Sequence, residues 1–261
     1  MGTDLFPRFA EVIRVADPRL IQEDPSLGGA LRLASDGPLD VLYAPFDHVN
    51  RDARLVLVGI TPGRQQALNA LLEAHRQLNA GTPLALASER AKGVASFSGP
   101  MRANLVAMLD HFGIHKLLGI SGCAGLFEAS AALVHYTSAL RYPVYVDGRN
   151  YSGQPEIART PLLRVQLLGH FAEEAEALRG ALFVPLGDKV TRALEFVADA
   201  GAIDAERILS GLQHPSGAHQ ERIAYLLGRK AREALSPKTN ADSSDRSAAS
   251  LRAKIARHAA S

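Results

Sequence analysis

This 261-residue chain contains one cysteine and no tryptophan, and it has no long apolar run. A single cysteine, Cys123, excludes an internal disulfide and leaves too few thiolates for a Cys-rich zinc site or a four-cysteine iron–sulfur cluster. No apolar run approaches the ~20 residues of a membrane span. Residues 1–7 also lack the basic segment and apolar stretch of a secretory signal. We therefore expect a cytoplasmic protein without a membrane-bound part and without a metal cluster.

An excess of charge of either sign is missing as well. Lys and Arg total 29 and Asp and Glu total 27, which gives a net charge of +2. Such a balance permits an anionic partner but does not require one, so a nucleic-acid role would depend on local clusters of Lys and Arg. Hydrophobic residues make up 47% of the chain, enough for a sizeable core. Because the composition first changes near residue 235, we expect one domain over residues 1–235 and a flexible basic tail over residues 236–261, in which a marginal helix begins at Leu251.

The alternation of apolar and amphipathic segments predicts the fold class. Residues 55–60 are continuously apolar, as in a strand buried on both faces of a parallel sheet, and further strands are predicted over residues 133–140, 181–186 and 208–212. Helical spacing predicts helices over residues 4–15, 65–78, 100–112, 160–178, 188–198 and 217–235. Residues 16–50, 79–99 and 141–154 are predicted to be irregular, apart from an edge strand at residues 41–43. This order predicts an α/β fold, a three-layer α/β/α sandwich around a central, mostly parallel four-stranded sheet.

Two short polar loops follow predicted strands at opposite ends of the chain. Residues 59–63, Gly-Ile-Thr-Pro-Gly, end the first strand, and His214-Pro215-Ser216 follows the last. Ligands of open α/β sheets bind at the carboxyl edge of the strands, so we expect the two loops to meet in one cleft. Each loop alone has an ordinary explanation: a strand-to-helix turn for the first, and a helix cap at Ser216 beside an idle histidine for the second. The first loop is neither a P-loop nor a dinucleotide fingerprint, because the Gly-Lys-Ser/Thr sequence and the glycine triplet are both missing.

Five segments, taken in order, resemble the motifs of the uracil-DNA glycosylase superfamily. Residues 59–63 are similar to its first motif, a Gly-x-(Asp/Asn/Glu/Ala)-Pro loop after the first central strand. Residues 96–99 look like the segment whose aromatic ring stacks on an extruded base, and residues 136–140 resemble the second central strand. Residues 185–189 resemble the Leu-Gly turn of the third strand, and residues 214–217 resemble the His-Pro-Ser motif. The resemblance covers about residues 50–235 and implies the fold of that superfamily and a DNA glycosylase activity.

The resemblance implies a role for each matching residue. His214 would donate a hydrogen bond to the departing base, and Thr61 stands at the position of the residue that activates water. The residues that would surround the base, with Phe97 stacked on its face, are Gly59, Ile60, Pro62, Gly63, Gln65, Gln66, Phe97, Ser98 and Ser138. The residues that would hold DNA phosphates or steer DNA are Arg64, Arg102, Arg141, Lys189, Ser216, Gly217 and Arg222. The implied enzyme flips out and hydrolytically releases uracil or another modified pyrimidine, without a metal or any other cofactor.

Three positions depart from the pattern of that superfamily. Thr61 stands where many relatives carry Asp, Asn or Glu, and a hydroxyl cannot take a proton near neutral pH as a carboxylate does. Ser138 stands where uracil-specific relatives have the Asn that reads the base edge, so a modified pyrimidine fits as well as uracil. Ala218 replaces the bulky wedge that often follows His-Pro-Ser.

Residues 141–154 offer substitutes for two of these missing groups. Asp147 is a candidate carboxylate in place of the one that Thr61 lacks. Candidates for the wedge or for a stacking surface are Tyr142, Tyr145 and Tyr151. The alternative is that these tyrosines pack against the domain.

Three functions remain open from the sequence, and a DNA glycosylase that acts as a monomer ranks first. The second is a DNA-binding module of the same fold that does not catalyse, which Thr61 favours. The third is an enzyme of small-molecule metabolism that holds a phosphate with residues 59–63. A metal centre is not predicted, because Gly113 separates His111 from His115 and no carboxylate partner is evident.

Overall fold

The computed structural model describes residues 4–96 and 100–259 and is an α/β protein. Its strands are β1 (Arg32–Asp36), β2 (Leu39–Leu42), β3 (Leu55–Gly59), β4 (Val134–Ser138), β5 (Val144–Val146), β6 (Arg149–Asn150) and β7 (Leu182–Pro185). Its α-helices are α1 (Phe6–Val15), α2 (Pro18–Glu23), α3 (Arg64–Asn79), α4 (Leu84–Ala95), α5 (Pro100–His111), α6 (Ile114–Leu118), α7 (Pro161–Gln166), α8 (Glu173–Ala177), α9 (Asp188–Asp199), α10 (Gln220–Leu226) and α11 (Ala241–Ala259). Within the described ranges, no helix is both long enough and apolar enough to cross a membrane.

The chain forms two compact units, each assembled from three separate segments. The first unit comprises the described residues of Met1–Val49, Gly59–Ser96 and Thr137–Ala177. The second unit comprises the described residues of Asn50–Val58, Phe97–Tyr136 and Leu178–Ser261. Neither unit ends at the predicted boundary, residue 235, because the second unit continues through α11.

A four-stranded antiparallel sheet in the order β1-β2-β5-β6 belongs to the first unit. Asp147 and Gly148 join β5 to β6, and their φ angles of +48° and +72° suit the tight hairpin turn that an Asp-Gly pair favours. This sheet corrects the irregular structure predicted for residues 16–50 and 141–154. Residues 41 and 42 of the predicted edge strand lie in β2, but β2 is an inner strand between β1 and β5 and not an edge. Strands this short carry too few residues for their alternation to stand out in the sequence.

The helices of the first unit pack partly through small residues. α3 and α4 lie against each other, and Ala67, Ala70, Ala87 and Ala91 are buried on them. α4 lies in residues 79–99, which were predicted to be irregular. The helix was not predicted because alanines in place of bulky side chains weaken the amphipathic signal. A π-helical turn, Leu167–Ala172, joins α7 to α8, so the helix predicted over residues 160–178 is present with a local widening.

The second sheet has three strands in the order β4-β3-β7. β3 and β7 run parallel, with Leu55 opposite Leu182. The predicted fourth strand pairs with β7 only through isolated parallel bridges at Ile208 and Leu212. Gly211, at a φ of +127°, breaks the extended backbone between those bridges. The predicted α/β class is therefore confirmed, whereas the central sheet has three strands and a bridged segment.

The core of the second unit is apolar and includes the C-terminal helix. Its buried side chains come mainly from β3, β7, α5, α6 and α11. Leu251 and Ile255, four residues apart on one face of α11, pack into this core, and Leu251 is only 1% exposed. The predicted flexible tail is thus corrected, because residues 241–259 form a packed helix. A composition rich in Ser and Ala concealed that apolar stripe.

The helix predicted over residues 217–235 is shorter in the structure. A 3₁₀ turn, Gly217–His219, leads into α10, which ends at Leu226. Gly228 adopts a φ of +70° just beyond, in the left-handed conformation that commonly ends helices.

Candidate functional site

The His-Pro-Ser loop of the second unit holds its histidine in a defined state. The backbone N–H of Ser216 donates to Nδ1 of His214 at 3.2 Å. Because Nδ1 accepts this bond, the neutral ring carries its proton on Nε2. His214 is partly exposed, so its Nε2–H is a candidate donor toward a ligand.

The surroundings of His214 favour the neutral ring. Burial lowers the pKa of His214, and the charge of a protonated His219 would lower it further. The two ring centroids are 5.9 Å apart. A histidine with a pKa below its ordinary value of 6.5 is neutral near pH 7, so the ring offers one donor and one acceptor there.

Neighbouring elements of the second unit fix the position of this loop. Asn104 on α5 donates to the carbonyl of Pro215 at 2.9 Å and to the side chain of Gln220 at 3.2 Å. The turn after β7 packs directly on the loop, since a Cβ built on Gly187 would lie 3.7 Å from Cβ of His214. Gly187 has a φ of +97°, which a larger residue rarely adopts. The turn at Gly187 and the His-Pro-Ser loop are therefore in contact.

A cavity of about 470 Å³ lies beside the His-Pro-Ser loop in the second unit. Its lining residues are Ala218, His219, Glu221, Arg222, Ser236, Lys238 and Thr239. Glu221 is already paired, because Lys230, Ser236 and Thr239 donate to its carboxylate and hold the pKa of Glu221 far below its ordinary value. The basic side chains of Arg222 and Lys238 therefore give this cavity a charge that suits an anion such as a phosphate.

The other predicted DNA-binding residues of the second unit lie on its surface. Ser216 makes no side-chain cap to the following turn, and Gly217 is exposed. Lys189 is exposed near the start of α9. Arg102 is exposed on α5, and its guanidinium lies over the ring of Phe127 at 4.7 Å from the centroid.

The Thr61 loop of the first unit differs from the His-Pro-Ser loop. The hydroxyl of Thr61 donates to the carbonyl of Tyr142 at 3.0 Å and accepts from the N–H of Val144 at 3.1 Å. Its proton is thus committed to the backbone of the segment that enters β5. The catalytic role predicted for Thr61 is therefore not supported by its geometry, which is that of a structural tie.

Most of the remaining predicted base-binding residues of the first unit make other hydrogen bonds within the fold. Gln66 caps α3 by accepting from the N–H of Gly63, and it donates to the carbonyl of Ala95. Gln65 is exposed and bonds to Asn69. Ile60 accepts at its carbonyl from Leu140, and Pro62 is buried.

Gly59 and Ser138, two of the residues predicted to surround the base, lie next to each other. A Cβ built on Gly59 would lie 3.4 Å from Oγ of Ser138, so the two residues line one spot at the ends of β3 and β4. Arg64, predicted to steer DNA, is exposed and lies over the ring of Tyr145 at 5.4 Å. Phe97 and Ser98 lie outside the described residues, so their predicted stacking and binding roles stay predictions.

The substitutes proposed for residues 141–154 are corrected by the structure. Tyr142, Tyr145 and Tyr151 are all buried in the first unit, so none is available as a wedge or a stacking surface. Asp147 occupies the turn of the β5–β6 hairpin, where its role is conformational. The alternative considered above, that these tyrosines pack against the domain, is confirmed.

Charged residues buried in the first unit escaped prediction. Arg141, expected to steer DNA, is only 4% exposed and donates to the carboxylate of Glu174 at 2.8 Å. Lys92 shares this carboxylate at 3.7 Å, and burial lowers the pKa of Lys92 to about 8. Asp47 accepts from the hydroxyls of two buried tyrosines, and burial raises the pKa of its carboxyl. These groups pair within the fold, which explains why they tolerate burial.

One group of described residues has the side chains and the spacing to hold a metal ion. Asp110, His115 and Cys123, all in the second unit, each offer one ligand atom, and the three atoms lie within 4.8 Å of one another. Burial, together with the Asp110 carboxylate, raises the pKa of the Cys123 thiol, so Cys123 is a buried neutral thiol and not a nucleophile. Sequence spacing suggested His111 as the partner of His115, but His111 contacts Arg252 instead.

Comparison with known proteins identifies a relative of this chain. No protein-family model and no solved structure matches it. An uncharacterized protein of Bacillus subtilis (strain 168), YoxB, is 36% identical to it over 218 residues, which are 82% of this chain and 85% of YoxB. Identity at this level over most of both chains indicates common descent. The chain therefore belongs to the same protein family as YoxB of Bacillus subtilis.

Proposed function

We propose that the chain is a DNA glycosylase in which His214 donates a hydrogen bond to the departing base. The observation that carries this proposal is the bond from the N–H of Ser216 to Nδ1 of His214, because it assigns the ring proton to Nε2. The lowered pKa of His214 supports the same state near neutral pH. A donor in this state matches what the resemblance of residues 214–217 to the His-Pro-Ser motif implies.

The chemistry asks for a donor of this kind. When an N-glycosidic bond breaks, positive charge develops on the sugar and negative charge on the leaving base. A donor aimed at a carbonyl oxygen of the base stabilises that negative charge and typically contributes ~10²–10³ in rate. Water adds its oxygen to the sugar carbon and a proton reaches the base, so the products are the free base and an abasic sugar. The nucleotide first leaves the base stack, at a cost of a few kcal/mol.

The Thr61 loop narrows the class of substrate. Because the Thr61 hydroxyl is bonded to the backbone, the proposal gives it no part in activating water. Stabilisation of the leaving group then carries most of the rate. Such a mechanism favours bases whose ring carbonyls hold negative charge well, as in uracil and other oxidised or modified pyrimidines.

Two further features support the proposal, one through its charge and one through the fold. The cavity beside His219, with Arg222 and Lys238 in its lining, has the charge expected for a backbone phosphate. The strand order β4-β3-β7, with residues 208–212 bridged beyond β7, supports the four-stranded, mostly parallel sheet of the uracil-DNA glycosylase superfamily. Under this proposal the protein acts as a monomer, and the meeting of the two polar loops around the base stays a prediction.

The test is release of a base from defined oligonucleotides. Single- and double-stranded substrates carrying uracil, hypoxanthine, xanthine, and hydroxymethylated or glucosylated cytosine are incubated with the protein, and abasic sites are revealed by alkaline cleavage. We expect release from a modified pyrimidine, loss of that release in His214→Asn, and normal release in His75→Asn, a matched change on α3. Folded protein that releases none of these bases would argue against the proposal.

A second candidate is a DNA-binding module of the same fold that does not catalyse. The observation that favours it is the structural use of the Thr61 hydroxyl, which leaves that loop without a proton acceptor at this position. Gel-shift affinity separates the two functions. A glycosylase with His214→Ala loses turnover and keeps most of its affinity for DNA, whereas a binding module shows high affinity and no turnover with either protein.

A further inference from the structure

Two left-handed glycines fold the segment after α5 back on itself. Gly113 and Gly119 have φ angles of +75° and +71° and flank the short helix α6 on both sides. This path brings Asp110, near the end of α5, close to His115 on α6 and to Cys123, which opens the 3₁₀ turn Cys123–Phe127. The segment thus gathers a carboxylate, an imidazole and a thiol from 14 consecutive positions.

The separation of the imidazole and the carboxylate is the first argument for an ion. Nδ1 of His115 lies 3.2 Å from Oδ1 of Asp110, yet it makes no hydrogen bond and is shielded from solvent. Bonds of about 2.0–2.1 Å to a tetrahedral zinc ion would place a nitrogen and an oxygen ligand roughly 3.3 Å apart. The two atoms therefore already have the separation of two ligands of one ion.

The orphaned nitrogen is the second argument. A buried ring nitrogen that makes no hydrogen bond is costly, because it has given up its bond to water, and the contact with Oδ1 of Asp110 does not replace that bond. Oδ1 of Asp110 is itself occupied by the N–H of Cys123 at 2.8 Å, which fixes the carboxylate beside the thiol. A cation between the three groups would give Nδ1 of His115 a partner. The hydrogen bond from the N–H of Cys123 already holds the Asp110 carboxylate where it could bind that cation.

We propose that Asp110, His115 and Cys123 bind a divalent zinc-type cation through the carboxylate, Nδ1 and Sγ. A mixed set of oxygen, nitrogen and sulfur ligands is typical of zinc, and three protein ligands leave one position for water. The thiol proton passes to solvent when sulfur binds the ion. The side chain of Asp110 is 37% exposed and that of His115 21%, whereas Cys123 is buried, so the ion enters from the carboxylate side.

Such an ion would clamp the end of α5 to α6 and to the 3₁₀ turn. Ile114 and Leu118 of α6 and Cys123 itself belong to the apolar core of the second unit. The ion would therefore stabilise the folded protein, because it binds the folded segment better than the unfolded chain. This proposed site is independent of the proposed glycosylase activity, and measurements of metal binding alone test it.

Cobalt is the probe of choice, because a cobalt–thiolate bond gives a near-ultraviolet charge-transfer band. The full-length protein is stripped with a chelator, desalted and titrated with Co²⁺, and the bound metal is counted by mass spectrometry. We expect one Co²⁺ per chain, a charge-transfer band that Zn²⁺ displaces, and a melting temperature raised by Zn²⁺. Absence of the band in the folded protein would overturn the proposal.

Variants locate the site. His115→Gln and Asp110→Asn keep the size of each side chain, and the asparagine can still accept from the N–H of Cys123. Each is expected to weaken Co²⁺ affinity by more than about tenfold. His111→Gln, on α5 outside the proposed ligand set, serves as the matched control and is expected to leave the affinity unchanged. A band that survives in both ligand variants, or equal stabilisation of wild type and Asp110→Asn by Zn²⁺, would contradict the assignment.

Discussion

The two polar loops that resemble glycosylase motifs use their polar side chains in opposite ways. In residues 59–63, the Thr61 hydroxyl donates a hydrogen bond to one backbone carbonyl and accepts one from a backbone N–H. In the His-Pro-Ser loop, His214 accepts one backbone N–H and keeps a second nitrogen for a ligand. Both side chains hold their loops in place by hydrogen bonds. The imidazole still has a second nitrogen that can donate, whereas the only donor hydrogen of the hydroxyl is already used.

Because the two side chains differ in this way, the role of each motif needs its own test. A polar residue at the end of a strand is equally suited to fixing a turn and to doing chemistry. The residue type decides how much hydrogen-bonding capacity remains once the turn is fixed. We therefore propose a chemical role for His214 and a structural role for Thr61, and the two roles predict different responses to substitution.

The largest expected effect is on turnover in His214→Ala. Loss of a donor to the developing charge should lower the rate of base release by ~10²–10³. Stability should change little by comparison, because the ring is only partly buried. Single-turnover base release and urea unfolding measure the two effects. Wild-type turnover in this variant would remove His214 from the account.

Thr61→Val should show the reverse pattern. The change leaves the carbonyl of Tyr142 and the N–H of Val144 without a partner, which should lower the free energy of unfolding by ~1–3 kcal/mol. Turnover per folded molecule should stay close to wild type, and Thr61→Ser should recover most of the stability. A variant that is fully stable but inactive would mean that Thr61 takes part in the chemistry.

Ser216 offers a test of the hydrogen bond that sets the histidine tautomer. Ser216 has a φ of −68°, which proline adopts readily, so Ser216→Pro removes the N–H with little change at this residue's φ. Loss of one hydrogen bond of about 0.5–1.5 kcal/mol should slow base release by up to about tenfold. Ser216→Ala keeps the N–H and is the control. Equal rates for the two variants would show that this bond does not position the ring.

The smallest expected effect is on the pH dependence of stability. The pKa of folded His214 lies below the 6.5 of an unperturbed histidine, so the unfolded chain binds more protons between the two values. The free energy of unfolding therefore rises with pH across that window, and this contribution is lost as the pH falls from 6.5 toward the folded pKa. Unfolding curves above and below pH 6.5 should show a steeper dependence in wild type than in His214→Asn. The same slope in both proteins would contradict the lowered pKa.

The parts of the fold predicted from the sequence are those with strong local signals. The apolar run that forms β3 and the helical spacing in α3, α5 and α9 each specify an element without help from the rest of the chain. The short strands β1, β5 and β6 depend on pairing: β1 pairs with β2, and β5 lies between β2 and β6. Strands of this kind leave little local trace in the sequence. Only a marginal helix from Leu251 was predicted where α11 is found, because the stripe of Leu251 and Ile255 is embedded in small polar residues.

The candidate site shows the same division. The sequence brought out His214 and Ser216 as neighbours in a motif, and their hydrogen bond follows from that closeness. Partners distant in sequence could not be foreseen. Thr61 meets the segment around Tyr142 through an interval of 81 residues, and Arg141 meets Glu174 only because the first unit folds around both. The grouping of Asp110, His115 and Cys123 depended on two left-handed glycines whose effect on the chain path is not visible in spacing alone.

The state of the His214 ring is the claim on which the proposed chemistry rests most directly. Long-range ¹H–¹⁵N correlation spectra of the histidine side chains near neutral pH, with His214→Asn to assign the signal, report which ring nitrogen carries the proton. We expect a neutral ring protonated on Nε2, with Nδ1 showing the shift of an acceptor. A ring protonated on Nδ1, or on both nitrogens, would contradict it.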